Sequence, residues 1–235
     1  MPRILVLGCG TGVGKTRLSV ALLNELRKTG RSCIGLKPIE SGVDPSNSAQ
    51  GSDAQAIAKA GSLHVTSARH PLYALREPIS PHLAARRQGV EINLEAVRLW
   101  TAQAEQCVTP LVSSDSATWS VVESAGGVFS PLSAGVTNFD LARVLEPAIW
   151  VLVAADALGV LHELSATLQA MKARGRMPDH VVLSCARPPD ASTGSNAREL
   201  SALGIVTPTA VLARDDDRGV QDLLRRLLAK APSEL

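Results

Sequence analysis

The stretch GCGTGVGKT, residues 8–16, ends in two side chains suited to handling phosphate, Lys15 and Thr16. Its glycines let the backbone turn tightly and aim successive N–H groups at one anion. The amides of Gly12, Val13 and Gly14 are the candidates for that cradle. A lysine closing such a turn supplies a cation for the outer phosphates of a nucleoside triphosphate, and the hydroxyl after it supplies a ligand for the accompanying magnesium ion. The stretch departs from GxxxxGK[ST]: Gly8 leads it, Cys9 follows, and the loop is one residue longer. Two more residues end apolar runs. Lys37 lies at the end of CIGLKP (33–38) and Glu123 at the end of WSVVES (119–124). A carboxylate ending a buried strand opposite a phosphate loop commonly holds magnesium, directly or through water. Lys37 also reads as a solvated surface lysine, and Asp53, after Ser52, as a helix N-cap.

The elements that must position these residues follow from hydrophobic periodicity. RILVLG (3–8) reads as a buried strand, and Leu18, Ala21, Leu22 and Leu26 recur at helical spacing over 15–29, with Gly30 as the stop. Strands are predicted at 33–38, 119–124, 148–155, 180–185 and 205–212. Helices are predicted at 53–60, 80–88, 91–107, 160–174, 195–203 and 217–230. Residues 43–52 and 187–195 read as surface loops. This alternation implies an α/β fold: right-handed βαβ units forming a mostly parallel sheet with helices on both faces, in one domain spanning 1–235. Ligands of such sheets sit beyond the carboxyl ends of the strands, where GCGTGVGKT, KPIESG, ESAGG and SCARPPD all fall.

Composition narrows the partners. A net charge of +2 leaves no electrostatic footprint for nucleic acid or a membrane surface. The apolar run at 148–155 is far too short to span a bilayer. The four cysteines are irregularly spaced and form no CxxC, and the chain runs from Met1-Pro2-Arg3 directly into a strand; both point to a cytoplasmic protein with reduced thiols and no leader. With aromatics at 3%, the core must be aliphatic, and Trp100, Trp119 and Trp150 read as packing residues.

Several motifs in unbroken order resemble the dethiobiotin synthetase family. The family's GTDTxVGKT appears as GCGTGVGKT, its KPxxSG as residues 37–42, and its SDA as residues 52–54. Its EPxSPHxAA appears as residues 77–85, and its VEGAGG as VESAGG at 122–127, followed by Pro131-Leu132. The resemblance implies a homodimeric, P-loop NTPase-like enzyme that uses ATP and Mg²⁺ to convert 7,8-diaminopelargonate and CO₂ into dethiobiotin. Its implied intermediates are a carbamate and a carbamic-phosphoric anhydride. It places Lys15 and Lys37 as cations around carbamate and γ-phosphate, and Thr16, Asp53 and Glu123 around magnesium. Thr11 and Ser41 would donate to phosphate and carbamate oxygens. The turn Gly126-Gly127-Val128 would offer N–H groups to the substrate carboxylate near the subunit interface. Ser80 and His82 have a simpler role at a helix start, with Ser80 as cap and Pro81 at the first position.

The departures raise specific expectations. Cys9-Gly10 replaces Thr-Asp in the loop, and Ser124 replaces a glycine where a side chain could obstruct ligand. Ser184-Cys185 stands where the family carries an asparagine reading the adenine edge, so Ser184 becomes the nucleotide-binding candidate there and base discrimination is expected to be reduced. Three other readings share parts of this pattern: another P-loop amide-forming ligase, a ParA/MinD-like nucleotide switch, and an inactive paralogue. The switch commonly has a second lysine early in the loop, which this chain lacks.

Overall fold

The computed structural model describes residues 1–43, 51–65, 70–108, 118–214, 216 and 218–230. Alternating apolar residues build its central sheet. In β1 (Arg3–Gly8), Leu5 and Leu7 enter one core and Ile4 and Val6 enter the other. A strand buried on both sides needs such a continuous apolar run. The sheet has six parallel strands in the order β10-β9-β8-β1-β5-β2. These are β2 (Cys33–Leu36), β5 (Trp119–Glu123), β8 (Ile149–Ala155), β9 (His180–Ser184) and β10 (Ala210–Leu212).

Helices cover both faces. On one side lie α1 (Lys15–Lys28), α2 (Asp53–Ala60) and α8 (Arg218–Lys230), which supply Leu18, Leu22, Leu26, Ile57, Leu223 and Leu227 to the core. On the other lie α3 (Pro81–Gln88), α4 (Leu94–Val108), α5 (Asn138–Leu145), α6 (Val160–Ala173) and α7 (Asn196–Ala202). Trp119 and Trp150 are buried, and Trp100 packs against the second core, in keeping with packing roles.

The structure adds elements that periodicity does not announce. The run 33–38 is broken: β2 ends at Leu36, and Ile39–Ser41 form β3, paired in parallel with β4 (Tyr73–Leu75) in a separate small sheet. Pro131–Ser133 and Val136–Thr137 form the antiparallel pair β6–β7, which leads into α5. α4 begins at Leu94 rather than at residue 91, and the strand expected at 205–212 is confined to Ala210–Leu212. Of the loop expected at 43–52, residues 44–50 lie outside the described residues, as do Asp215 and Asp217. Asp216 accepts the Arg218 amide at 2.8 Å, at the start of that helix.

Strand order positions the site. β5 inserts between β1 and β2, with Val6 opposite Glu123 and Leu36 opposite Val122. The segments carrying Lys15, Glu123 and Lys37 therefore leave the sheet from three adjacent strand ends.

Candidate active site

The loop after β1 is held from below. Gly14 is the N-cap of α1 with φ 94°, and a Cβ there would stand 2.3 Å from Ser184 Oγ. Gly12 has φ 69°, so both glycines occupy the left-handed region that L side chains disfavour. Val13 is buried and packs with the α1 core, which leaves its backbone, not its side chain, for a ligand. The Cys9 amide donates to Val153 O at 2.9 Å. Its thiol packs toward α6, and burial pushes it up to about 12.

A cleft of about 610 Å³ opens above this loop. Thr11, Gly12, Gly14, Lys15, Thr16, Lys37, Ser41, Asp53, Glu123 and Gly126 all line it. Glu123 is fully buried at its floor. Its Oε1 accepts from Thr16 Oγ1 at 2.9 Å and from Lys37 Nζ at 2.7 Å, and its Oε2 accepts from Ser19 Oγ at 2.7 Å. Lys37 also donates to Asp53 Oδ2 at 2.6 Å, so one ammonium bridges both carboxylates. Lys15 donates to Gly10 O at 3.0 Å.

The surroundings hold the two lysines differently. Burial opposes the charge on Lys37, but the Glu123 and Asp53 carboxylates outweigh it and keep the ammonium above its ordinary range. Lys15 is also buried and, among the described residues, makes no ion pair as close as those of Lys37, and desolvation lowers it to about 8. Asp53 feels burial too, yet the Lys37 ammonium holds its carboxyl below the usual range. Lys37 is therefore a buried, paired cation, not a solvated surface lysine.

Other expected residues are placed with different consequences. Ser52, not Asp53, caps α2, its Oγ accepting from the Gln55 amide, so Asp53 at the first helical position keeps its carboxylate for the cleft. Ser41 Oγ lines the cleft and, among the described residues, is buried with no hydrogen-bond partner, as suits an atom awaiting a ligand. The Gly127 amide donates to Ser130 Oγ at 2.9 Å and the Val128 amide to Gly8 O at 2.7 Å. Those two N–H groups are spent inside the turn, and of the three turn residues only Gly126 lines the cleft. Ser184 is fully buried beneath Gly14 and does not line the cleft; the residue that does on that side is Ala186. The Ser184 side chain stands against Gly14, beneath the loop. Ser80 stands at the N-cap of α3 with Pro81 after it, but its hydroxyl pairs with His82 Nδ1 at 2.9 Å rather than with a helix amide. Ser124 does not obstruct: its hydroxyl turns into the sheet and donates to Val6 O at 3.2 Å.

Two residues of the cluster escape the motif reading. Ser19 lies one turn beyond Lys15 on the same face of α1, a polar residue at a core-facing helical position, and that spacing is its signal. Glu40 occupies a variable place within KPIESG, where nothing local marks it. It is buried, its Oε1 accepts the Asp53 amide at 2.7 Å, and its Oε2 accepts the Ala54 amide at 2.9 Å. Burial pushes its carboxyl up against the opposing effect of those bonds.

The donor set fits magnesium. Thr16, Asp53 and Glu123 offer hard oxygens converging at the end of the loop. Among the described residues no group of three His, Cys, Asp or Glu forms a protein-only metal cage. Magnesium usually binds through one or two carboxylates with the substrate's phosphates completing its shell.

A strand, a glycine loop and a helix, with two lysines and two carboxylates gathered over them, define a P-loop nucleotide-binding protein. Solved structures share this fold: the MinC:MinD cell division complex of Aquifex aeolicus (TM-score 0.54, 10% identity, 100% of this chain and 99% of that one). The signal recognition particle receptor FtsY of Elizabethkingia anophelis also matches (TM-score 0.56, 12% identity, 97% of this chain but 64% of that one). At such identity they show the fold alone. A family model described as an AAA domain matches residues 2–217. Proteins named ATP-dependent dethiobiotin synthetase are closer in sequence. That of Anaeromyxobacter sp. (strain K) is 33% identical over 218 residues, 92% of each chain. That of Phenylobacterium zucineum is 34% identical over 205 residues, 86% of this chain and 83% of the relative. The chain belongs to the dethiobiotin synthetase family of ATP-dependent ligases.

Proposed function

We propose that this protein carboxylates and cyclises 7,8-diaminopelargonate with CO₂ or bicarbonate at the expense of ATP, giving dethiobiotin in biotin biosynthesis. The observation that supports it most is the bridging of Asp53 and Glu123 by Lys37 beside the glycine loop, in a chain of this family. One substrate amine adds to CO₂ and becomes a carbamate. A carbamate oxygen attacks the γ-phosphorus and displaces ADP, leaving a carbamic-phosphoric anhydride. The second amine attacks the carbonyl carbon, phosphate leaves, and the cyclic urea closes. No covalent bond to the protein is needed. The protein's task is to hold two anions in line against their repulsion. Lys15 would pair with the outer phosphates and Lys37 with the carbamate and the transferred phosphoryl group. Thr11 and Ser41 would donate to their oxygens, and the amides of Gly12, Val13 and Gly14 would cradle the chain of phosphates. Thr16, Asp53 and Glu123 would hold magnesium, which neutralises phosphate charge when bound.

The reading includes a homodimer in the cytoplasm, with the substrate carboxylate near the subunit interface. Among the described residues no helix is long and apolar enough to cross a membrane. The test is incubation with diaminopelargonate, bicarbonate, MgCl₂ and ATP, with dethiobiotin detected by mass. Lys37→Gln, which can still donate to Glu123, is expected to bind nucleotide but yield no product. ATP hydrolysis without product in the unmodified protein would refute the proposal, and sedimentation velocity checks the dimer.

A further inference from the structure

Asp53 reaches the cleft from the first position of α2, with a side chain 47% exposed. Where its carboxylate points depends on where the helix begins. That start is fixed twice. Ser52 supplies an ordinary cap to Gln55, while Glu40, from β3, accepts the amides of Asp53 and Ala54 with one oxygen each. Ser52 reaches only the third amide of the helix; the first two, Asp53 and Ala54, are held by Glu40, a carboxylate only 7% exposed, so the residue that fixes the Asp53 backbone itself is Glu40. Glu40 also comes from the segment that carries Lys37 and Ser41, so it ties the α2 start to the strand end from which the bridging lysine projects.

We propose that Glu40 is a positioning residue: its clamp on the Asp53 and Ala54 amides sets the place of the Asp53 carboxylate for metal binding. This rests on the reading of Asp53 as a magnesium ligand. Residues that orient metal ligands from behind typically change metal affinity by about 10–100-fold when removed.

The test measures Mn²⁺ binding by electron paramagnetic resonance, with a non-hydrolysable ATP analogue present, alongside thermal unfolding. Five proteins are compared: the unmodified chain, Glu40→Ala, Glu40→Gln, Ser52→Ala and Asp53→Ala. Glu40→Ala is expected to weaken Mn²⁺ binding about 10-fold. Glu40→Gln keeps one acceptor for the two amides and should lose less. Ser52→Ala removes a cap from the same helix without touching the Asp53 amide, so it should lower the unfolding temperature and leave Mn²⁺ affinity unchanged. If Glu40→Ala does not fold, Glu40→Gln against Ser52→Ala carries the comparison. Equal effects of the Glu40 and Ser52 variants on Mn²⁺ would reduce Glu40 to a cap and overturn the proposal. Normal Mn²⁺ binding in both Glu40 variants, with binding weakened in Asp53→Ala, would overturn it while leaving the metal site intact. Normal binding in Asp53→Ala would remove the metal reading itself, and the positioning role with it.

Discussion

Lys15 and Lys37 occupy one cleft, yet only Lys37 bridges carboxylates, and the difference has a measurable consequence. Desolvation lowers Lys15 from 10.5 to about 8, so near pH 8 about half of the free protein carries it neutral. A bound triphosphate favours the ammonium form. Binding is therefore expected to take up roughly half a proton near pH 8 and almost none near pH 6.5, and affinity should fall as pH rises beyond 8. Calorimetry in two buffers of different ionisation enthalpy reads this directly. The folding linkage runs the opposite way with pH. Between about 8 and 10.5 the unfolded chain binds more protons at this lysine, so its contribution to stability improves as pH rises through that window and is constant below it. Ser124 makes the opposite case, a residue conspicuous in sequence and quiet in structure. Its hydroxyl lies against Val6 O in the sheet, so Ser124→Gly is expected to leave turnover unchanged and to lower stability by about 1 kcal/mol, read by denaturant titration.

At the scale of elements, the loop works because β9 leaves no room for a side chain beneath it. A Cβ on Gly14 would meet Ser184 Oγ at 2.3 Å and Ala186 Cβ at 3.0 Å, in a backbone conformation that itself costs an L residue about 1–2 kcal/mol. Gly14→Ala is expected to weaken nucleotide binding at least about tenfold, equivalent to 1.4 kcal/mol, measured by fluorescent-nucleotide titration. Gly10 is the contrast. A Cβ added there would meet only Val13 Cγ1, at 3.9 Å, and its φ lies outside the left-handed region. Gly10→Asp should therefore fold as well as the parent chain, a difference from Gly14→Ala visible in the two melting curves. These contacts explain which elements could be read from the chain. The strands of the central sheet and α1, α2 and α8 are legible because burial on both faces, or along one stripe, imposes a period on the sequence itself. β3–β4 and β6–β7 are not, since strands of two or three residues carry no period and form where distant segments meet. α5 is disguised by its entry: Thr137 and Asp140 form a capping box, but the hairpin before it hides where the helix begins.

Over the whole molecule, the site divides into an end that sequence motifs describe and an end that they do not. Lys15, Thr16, Lys37, Asp53 and Glu123 are legible because each sits at or next to a strand or helix terminus within a recognisable motif, whereas nothing local marks Glu40 and Ser19, whose bonds go to Asp53, Ala54 and Glu123. On the side where Ala186 lines the cleft lie the loops after β9 and β10. Arg17 donates to Leu212 O, Ala213 O and Arg214 O, and Arg214 donates to Arg187 O, so these arginines are engaged in tying the loops together. Asn196, the amide side chain nearest this region in sequence, is buried on Asp156 Oδ1 at 2.7 Å. None of the described residues lining the cleft is Asn or Gln, and Ala186 lines it on this side. A site that hydrogen-bonds a substrate group rejects analogues lacking it by about 10⁴–10⁵, whereas packing alone discriminates by roughly 10–200-fold. With no Asn or Gln among the described residues lining the cleft, kcat/KM for CTP and GTP is expected to fall within about 100-fold of that for ATP. Initial rates of dethiobiotin formation with each triphosphate decide the matter. A preference for ATP of thousands would mean that backbone groups of the β9 and β10 loops read the base despite the missing amide.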